Sequence, residues 1–174
     1  MKKWTKGVFT GILTVCTAVV PVCAQENLVD MVPAGEGTTR SYLTGEPVQG
    51  DVRRRPVAVM MGNNKAGAPQ SGISSAGVIY EAPVEGNMTR LMGIFENYEK
   101  IPKIGSVRSC RDYYISYAKE FDAIYAHFGQ AVYALPYLEQ TDNLNGLQLE
   151  GSVYFRTEDR KAPHNAYTSG ERLL

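Results

Sequence analysis

The fold is decided by residues 77–129, which read GVIYEAPVEGNMTRLMGIFENYEKIPKIGSVRSCRDYYISYAKEFDAIYAHFG. Within this stretch, residues 78–85 and 88–95 are rich in apolar side chains and flank Gly86 and Asn87. A two-residue loop whose first residue is glycine is typical of a type II′ β-hairpin. The sequence therefore predicts a hairpin over residues 78–95, around which the remaining elements can be placed.

The register of this hairpin predicts where its charged side chains lie. With Glu85 opposite Met88, the side chains of Glu81, Glu85 and Arg90 point to one face. The opposite face is predicted to be apolar and to carry Tyr80, Ala82, Val84, Leu91 and Phe95. Four residues of strand span about 13 Å, whereas glycosidase carboxylates lie roughly 5–10 Å apart. Glu81 and Glu85 are candidate acid–base residues, but their separation along the strand is longer than that of glycosidase carboxylates and favours a structural ion cluster.

A strand–turn–helix junction follows the hairpin. Residues 103–107 predict a short strand, and Ser109 and Asp112 have the S-x-x-D spacing of a capping box. A helix is therefore predicted to begin at Cys110. This cysteine is interpreted as a small apolar side chain near the helix start rather than as a reactive thiol. The apolar stripe of the predicted helix consists of side chains at helical spacing, namely Tyr114, Tyr117, Ala118 and Phe121.

This junction predicts an anion site, because free backbone N–H groups at a helix start and nearby arginines both favour negative charge. The alternative is that Arg108 forms an internal ion pair with Glu81 or Glu85. The candidate ligand-binding residues are Arg90, Arg108, Ser109, Arg111, Asp112, His164 and Asn165. A carboxylate, a phosphate or a sugar acid would suit such a site.

His127 is the third catalytic candidate, beside Glu81 and Glu85. It lies near the end of a predicted buried strand, residues 121–128, and ligands gather at the carboxyl ends of strands in open α/β sheets. One predicted role of His127 is proton transfer, in a site that His164 and Asn165 could join. The alternative is a structural role. The sequence has no H-x-x-x-H or C-x-x-C spacing and no nucleotide fingerprint, so neither a metal site nor a cofactor is predicted.

The remaining elements complete an α/β fold of the mixed α+β kind. Residues 57–61 form a continuous apolar run, as in a strand buried on both faces. Residues 130–140 predict a helix interrupted at Pro136, residues 151–156 an edge strand, and residues from 167 onward the start of a further helix. We expect a central mixed sheet of about 5–6 strands with flanking helices.

The N-terminal residues predict export and a tether. Residues 1–24 have three lysines, an apolar stretch and a terminal small residue, as in a Sec-type signal peptide that is cleaved after Ala24. Residues 25–52 are rich in Gly, Pro, Ser and Thr and predict a flexible linker, with a partly ordered arm near Tyr42 and Leu43 as the alternative. Membrane contact is expected only through lipid on Cys23 or through an uncleaved signal.

Charge argues against nucleic acid as a partner. The chain has 18 basic and 18 acidic residues, and removal of the three lysines in residues 1–24 leaves a net charge of −3. Proteins that bind nucleic acid through its phosphates present a strong basic surface instead. The predicted location is extracytoplasmic, either secreted or attached to the cell envelope.

Several motifs in a fixed order resemble a known family. They are residues 55–60 (RPVAVM), 69–72 (PQSG), 80–86 (YEAPVEG), 105–109 (GSVRS) and 121–127 (FDAIYAH). Together they resemble the YerB-like family of bacterial lipoproteins, from about residue 40 to the end. The resemblance implies a two-domain envelope protein with a mixed α/β N-terminal domain of unknown function, usually lipid-anchored. We therefore expect residues 53–174 to be that domain, truncated before a second one.

Two classes of function fit these observations. The first is a non-catalytic envelope module that binds a polar or anionic glycan, peptide or protein. The second is a hydrolase or transferase that acts on cell-wall material through Glu and His acid–base residues. The absence of a recognisable catalytic set in the sequence favours binding.

Overall fold

A computed structural model of the protein describes residues 38–49 and 54–174, all of which belong to one compact unit, residues 33–174. The predicted signal peptide lies outside the described residues, as do residues 25–37 and 50–52 of the predicted linker. No helix within the described part of the chain has the length and apolar character needed to span a membrane.

The molecule contains ten strands and three short α-helices among the described residues. The strands are β1 (Thr38–Arg40), β2 (Pro47–Gln49), β3 (Val57–Gly62), β4 (Val78–Val84), β5 (Met88–Phe95), β6 (Ile104–Gly105), β7 (Ile124–His127), β8 (Asn143–Asn145), β9 (Phe155–Arg156) and β10 (Ala166–Thr168). The helices are α1 (Asp112–Lys119), α2 (Leu135–Leu138) and α3 (Gly146–Leu149).

A five-stranded mixed sheet with the order β4-β5-β3-β7-β8 is the centre of the fold. Strand β3 is buried along its whole length; it pairs antiparallel with β5 and parallel with β7. Strand β8 continues the parallel part beside β7. The prediction of a mixed α+β fold around a central mixed sheet is confirmed, as is the buried apolar strand at residues 57–61.

Each face of this sheet carries a separate core. Helix α1 covers one face with the buried side chains of Tyr114, Ile115 and Ala118, which pack against Met60 and Met92. Of the predicted apolar stripe, Tyr114 and Ala118 are buried, Tyr117 is half-buried, and Phe121 packs against the same core from beyond the end of the helix. The other face packs against the second sheet, in which β10 lies between β6 and β9.

The hairpin is present, but its predicted register is wrong by one residue. Val84 pairs with Met88, so the loop has three residues, in which Gly86 and Asn87 have φ values of 75° and 54°. Side chains alternate between the two faces of a strand. A register shift of one residue therefore places each β5 side chain on the face opposite to the predicted one, relative to the side chains of β4. Arg90 lies opposite Ala82 on the face covered by α1, and Glu81 on the other face.

Helix α1 begins two residues later than predicted, and the predicted capping box is not formed. Arg111 is the N-cap, and no side chain caps the helix. Cys110 cannot be helical because its backbone pairs with the loop after β7: its N–H donates to the carbonyl of Gly129 (2.9 Å), and its carbonyl accepts from the N–H of Ala131 (3.2 Å). The Cys110 thiol is buried, which raises its pKa to about 11, in keeping with an unreactive side chain.

Two further element predictions need correction. The predicted helix over residues 130–140 exists only as a 3-10 turn, Val132–Ala134, followed by the four-residue α2. The helix predicted from residue 167 is instead strand β10, because Tyr167 pairs with both Gly105 and Phe155 in the second sheet. In β10, strand pairing across the chain overrides the local helical pattern.

Residues 38–49 are not a flexible linker. They form the antiparallel pair β1 and β2, and the N–H of Tyr42 donates to the Glu96 carboxylate at 2.7 Å. The Ser41 hydroxyl donates to the other oxygen of Glu96, and Ser41 is buried. These contacts hold the hairpin on the domain, so over these twelve residues the linker prediction is wrong.

Candidate functional site

The candidate site lies at the carboxyl edge of the parallel strands. The segment after β6 crosses this edge between the ends of β3 and β7: the N–H of Arg108 donates to Met60 (2.9 Å), and the N–H of Phe128 donates to Arg108 (3.0 Å). The antiparallel β5 starts at the same edge, since Gly62 pairs with Arg90. Open α/β sheets bind ligands at this edge, so the topology places Arg90 and Arg108 where a site is expected.

Arg90 is a buried cation without a counter-ion among the described residues. Its side chain lies on the helix-facing side of the sheet, and the residue is only 8% exposed. One guanidinium N–H donates to the carbonyl of Ser109. Burial, together with the nearby charges of Arg111 and Arg108, lowers the pKa of Arg90 to about 10. Glu85 is near enough to offset part of this lowering, but among the described residues Arg90 lacks the direct ion-pair partner that a buried guanidinium normally requires.

Arg108 is half-buried and, within residues 38–49 and 54–174, also forms no ion pair. Its Nη1 donates to Nδ1 of His164 at 2.8 Å and lies 3.4 Å from the carbonyl oxygen of Pro163. Burial and the charge of Arg111 lower its pKa. The alternative in which Arg108 pairs with Glu81 or Glu85 is wrong, because both carboxylates have other partners.

Arg111 has a counter-ion, which the other two arginines lack in the part of the chain that the structure describes. Its Nε and Nη2 both donate to the Glu85 carboxylate, with the shortest contact 2.5 Å, and the hydroxyl of Tyr133 donates to the same carboxylate at 2.9 Å. These bonds, chiefly that from Arg111, lower the pKa of Glu85 to about 2. Glu85 is thus ionised at neutral pH. It cannot act there as a general acid, because a general acid must hold a proton.

Glu81 belongs to a separate polar network on the other face of the hairpin. It accepts hydrogen bonds from the Thr89 hydroxyl (2.5 Å) and from Nδ2 of Asn63 (2.9 Å). Nε2 of Gln70 in turn donates to Oδ1 of Asn63 at 3.3 Å. Glu81 and Glu85 therefore do not form the same-face pair with Arg90 that the predicted register required.

A small cavity lies between Arg90 and Arg108. Its volume is about 20 Å³, enough for one water-sized group. The rest of its lining comes from the end of β3 and from the hairpin: Gly62, Asn63, Asn64, Val84, Met88 and Thr89. A larger cavity of about 340 Å³ lies at the opposite edge, but its arginine, Arg55, is paired with Asp122 and Asp142.

His127 is a buried structural residue in this fold. Its Nδ1 lies 2.8 Å from the Gly129 carbonyl oxygen, and its Nε2 lies 3.1 Å from Oδ1 of Asn143. Burial lowers its pKa. Because neither ring nitrogen is left for a substrate, the structure gives His127 no route to the catalytic role considered for it.

The other predicted site residues divide between the site and its surroundings. His164 contacts Arg108 directly, whereas Asn165 bonds Arg156 and Thr157 away from the cavity. Ser109 contributes its carbonyl to Arg90, and Asp112 lies in the first turn of α1. Sequence reasoning missed Asn63, Asn64 and Tyr133. The rule that singled out His127 at a strand end also applies to Asn63 and Asn64, which directly follow β3.

The comparisons with known proteins agree on one family. Residues 43–174 match the family described as "Protein of unknown function (DUF3048) N-terminal domain". The chain is 37% identical over 178 residues to the "Putative lipoprotein YerB" of Bacillus subtilis (strain 168), covering 97% of this chain and 50% of that protein. The crystal structure of Bacillus subtilis YerB matches with a TM-score of 0.73 at 38% identity, over 78% of this chain and 47% of that one. The chain thus spans about half the length of these relatives.

Proposed function

This chain belongs to the DUF3048 family of proteins of unknown function, and we propose that it is a cell-envelope protein that binds an anionic ligand at Arg90, Arg108 and Arg111. The observation that carries the proposal is Arg90, a buried guanidinium that has no carboxylate within 4 Å among the described residues and lies beside a second unpaired guanidinium, Arg108. We call Arg90, Arg108 and Arg111 the arginine site.

The charge balance of this site supports an anion as its ligand. The charges of Arg111 and Arg108 lower the pKa of Arg90, the charge of Arg111 lowers the pKa of Arg108, and Glu85 pairs only with Arg111. Burying a cation without a partner is costly, and that cost is recovered when an anion binds and accepts its hydrogen bonds. Guanidinium groups also match carboxylate and phosphate oxygens geometrically, because their N–H donors form a planar fork.

The location of the site supports access from outside. Arg108 is half-exposed, and the cavity that it shares with Arg90 lies beside the exposed side chains of Asn63 and Met88. A ligand can therefore reach Arg108 from the solvent. Arg111 is held against the site by Glu85, which neutralises its charge.

The alternative, a hydrolase or transferase that uses Glu85, Glu81 or His127, has less support. Glu85 is ionised and bound to Arg111, Glu81 accepts from Thr89 and Asn63, and His127 has both ring nitrogens engaged. An acid–base pair needs groups with suitably separated pKa values that face one substrate. These three side chains do not provide that arrangement.

The envelope location rests on the relative and on the N-terminal sequence. The Bacillus subtilis relative carries the word lipoprotein in its name, and residues 1–24 have the composition of an export signal. Glycan, peptide and protein ligands of the envelope all offer carboxylates. Membrane contact would come through lipid on Cys23 or an uncleaved signal.

The proposal is tested by titrating the exported chain with acetate and with inorganic phosphate at low ionic strength, followed by NMR. We expect chemical shifts to move at Arg90, Arg108 and Ser109. Arg108→Gln should weaken binding by about tenfold, because hydrogen bonds to charged groups are worth about 1.5–3 kcal/mol. The matched control is Arg54→Gln, which removes the same charge from an arginine paired with Glu99. Equal weakening by both substitutions would contradict a specific site.

A further inference from the structure

We infer that the ligand of the arginine site is a peptide segment in which a carboxylate lies next to an apolar side chain. This inference rests on the proposed function and adds the class of ligand. It comes from exposed apolar side chains on the two loops that follow β7 and β8, which lie near Glu85, the partner of Arg111, and Ser109, the partner of Arg90.

Three large side chains on these loops are exposed without being needed by the core. Val132 is 81% exposed, Leu147 is 63% exposed and Tyr133 is 50% exposed. We call them the apolar flank. Isolated apolar side chains are common on protein surfaces, but a group of them beside a charged site marks a place where a partner binds.

Tyr133 joins the apolar flank to the arginine site. Its hydroxyl donates to Oε1 of Glu85 at 2.9 Å, and the same carboxylate holds Arg111. The Tyr133 ring is therefore fixed beside Arg111 with half of its surface open to solvent. A ligand that reaches the arginines from this side must pass over it.

Leu147 approaches the site from the next loop. A Cβ built on Gly129 would lie 3.5 Å from the Ser109 hydroxyl and 3.7 Å from Cδ1 of Leu147, so these side chains flank the same glycine. The Ser109 carbonyl holds the buried guanidinium of Arg90. The parallel pairing of β7 with β8 places both loops at one edge, since His127 pairs with Asn145.

The chemistry of the two parts favours a peptide over a glycan. The half-exposed guanidinium of Arg108 presents a planar fork of N–H donors, which suits a carboxylate. Val132 and Leu147 are aliphatic and offer no hydrogen bonds, whereas sugar hydroxyls require many. The hydroxyl of Tyr133 is already used by Glu85. A carboxylate on the arginines with a Leu-like or Phe-like side chain on the flank satisfies both parts.

The test uses three synthetic peptides whose affinities are measured by calorimetry or NMR. Ac-Ser-Leu-Glu-Leu-NH2 carries both features, Ac-Ser-Ser-Glu-Ser-NH2 only the carboxylate, and Ac-Ser-Leu-Gln-Leu-NH2 only the apolar side chains. We expect the first to bind about tenfold more tightly than the second, as burial of one or two aliphatic side chains predicts, and the third not to bind.

Variants assign this difference to the flank. The double substitution Val132→Ser and Leu147→Ser should bring the first peptide to the affinity of the second and leave the second unchanged. Both side chains are highly exposed, so the fold does not depend on them. Ile79→Ser, on an exposed position of β4 that is not part of the flank, is the matched control and should leave the tenfold ratio intact.

The other outcomes separate the two proposals. If the first two peptides bind equally and Arg108→Gln abolishes the binding of both, the apolar flank is overturned but the anion site is supported. Tighter binding of an oligogalacturonate than of the first peptide overturns the peptide in favour of an acidic glycan. Failure of both acidic peptides, acetate and phosphate to bind overturns the anion site as well.

Discussion

His164 makes the charge of the arginine site depend on pH. Since the Arg108 guanidinium can only donate, Nδ1 of His164 accepts, and the imidazole is neutral. Burial and the charges of Arg108 and Arg160 lower its pKa below the ordinary 6.5. Protonation would remove the acceptor and add a positive charge. Because the folded pKa is the lower one, protonation also destabilises the fold as the pH falls from 6.5 through that value.

The first prediction is that anion affinity rises as the pH falls through the pKa of His164. By linkage, saturating acetate or phosphate must raise that pKa, since the bound anion stabilises the imidazolium. The measurement is an NMR titration of the His164 ring with and without anion. His127, buried and bonded to Gly129, is the internal reference and should not respond. An unchanged His164 pKa in the presence of bound anion would refute the coupling.

The second prediction separates binding from stability at Arg90. Replacing a buried unpaired charge by an apolar side chain of similar length removes a desolvation cost, which offsets the lost bond to Ser109. Arg90→Met should therefore change the free energy of unfolding by no more than about 1 kcal/mol while abolishing anion binding. Urea unfolding measures the first effect, with the exposed Arg54→Met as control. A loss of more than about 3 kcal/mol would instead identify Arg90 as a structural residue.

The β4–β5 hairpin shows how a small local error alters a site. The alternating sequence predicts the two strands, but it does not fix whether Glu85 ends a strand or belongs to the loop. With three loop residues, Glu85 is free to reach Arg111, and Arg90 turns to the helix-facing side. Sequence alone could therefore name Glu85, Arg90 and Arg111 as candidates, but not which of them pair.

The third prediction tests this loop directly. Gly86 has a φ of 75°, and a Cβ there would meet only the end of the flexible Met88 side chain at 3.5 Å. Gly86→Ala should thus lower the free energy of unfolding by about 1 kcal/mol through backbone conformation alone. Asn87→Gly, at φ 54°, should be neutral or stabilising in the same thermal unfolding experiment. A neutral Gly86→Ala would be evidence for a type of loop without positive φ at this position.

The segment before α1 shows why a sequence motif can fail. Ser109 and Asp112 have capping-box spacing, but Cys110 pairs with Gly129 and Ala131 across the carboxyl edge. That pairing joins residues about twenty positions apart, so no local pattern could reveal it. The same contact brings the loop after β7 beside the arginines. The motif was misleading about the helix, yet the segment that carries it does hold Arg108 and Arg111.

At the scale of the whole molecule, the sequence predicts the class of fold better than its topology. Continuous apolar runs such as residues 57–61 identify buried strands, and the helical stripe identifies the cover on one face. The parallel neighbours β3, β7 and β8 are set by packing between distant segments, and they decide which strand ends meet. His127 was singled out because it ends a strand, but burial within the sheet removes it from the site.

Conversely, the whole fold explains why the arginines remain unpaired. The carboxylates of this region are drawn into other contacts, Glu85 to Arg111 and Glu81 to Asn63 and Thr89. Among the described residues, Arg90 and Arg108 are left with carbonyl and imidazole acceptors only. A domain that needed these two arginines solely for stability would gain more from apolar side chains in their place, which is the physical basis for assigning them to a ligand.

The most direct measurement is a crystal structure of the chain grown or soaked with bromide, read from the anomalous signal of that anion. Binding by the arginine site predicts a bromide peak between the guanidinium groups of Arg90 and Arg108, and its loss in the Arg108→Gln variant. Peaks confined to the surface arginines that are already paired, such as Arg54 and Arg55, with none between Arg90 and Arg108, would contradict it.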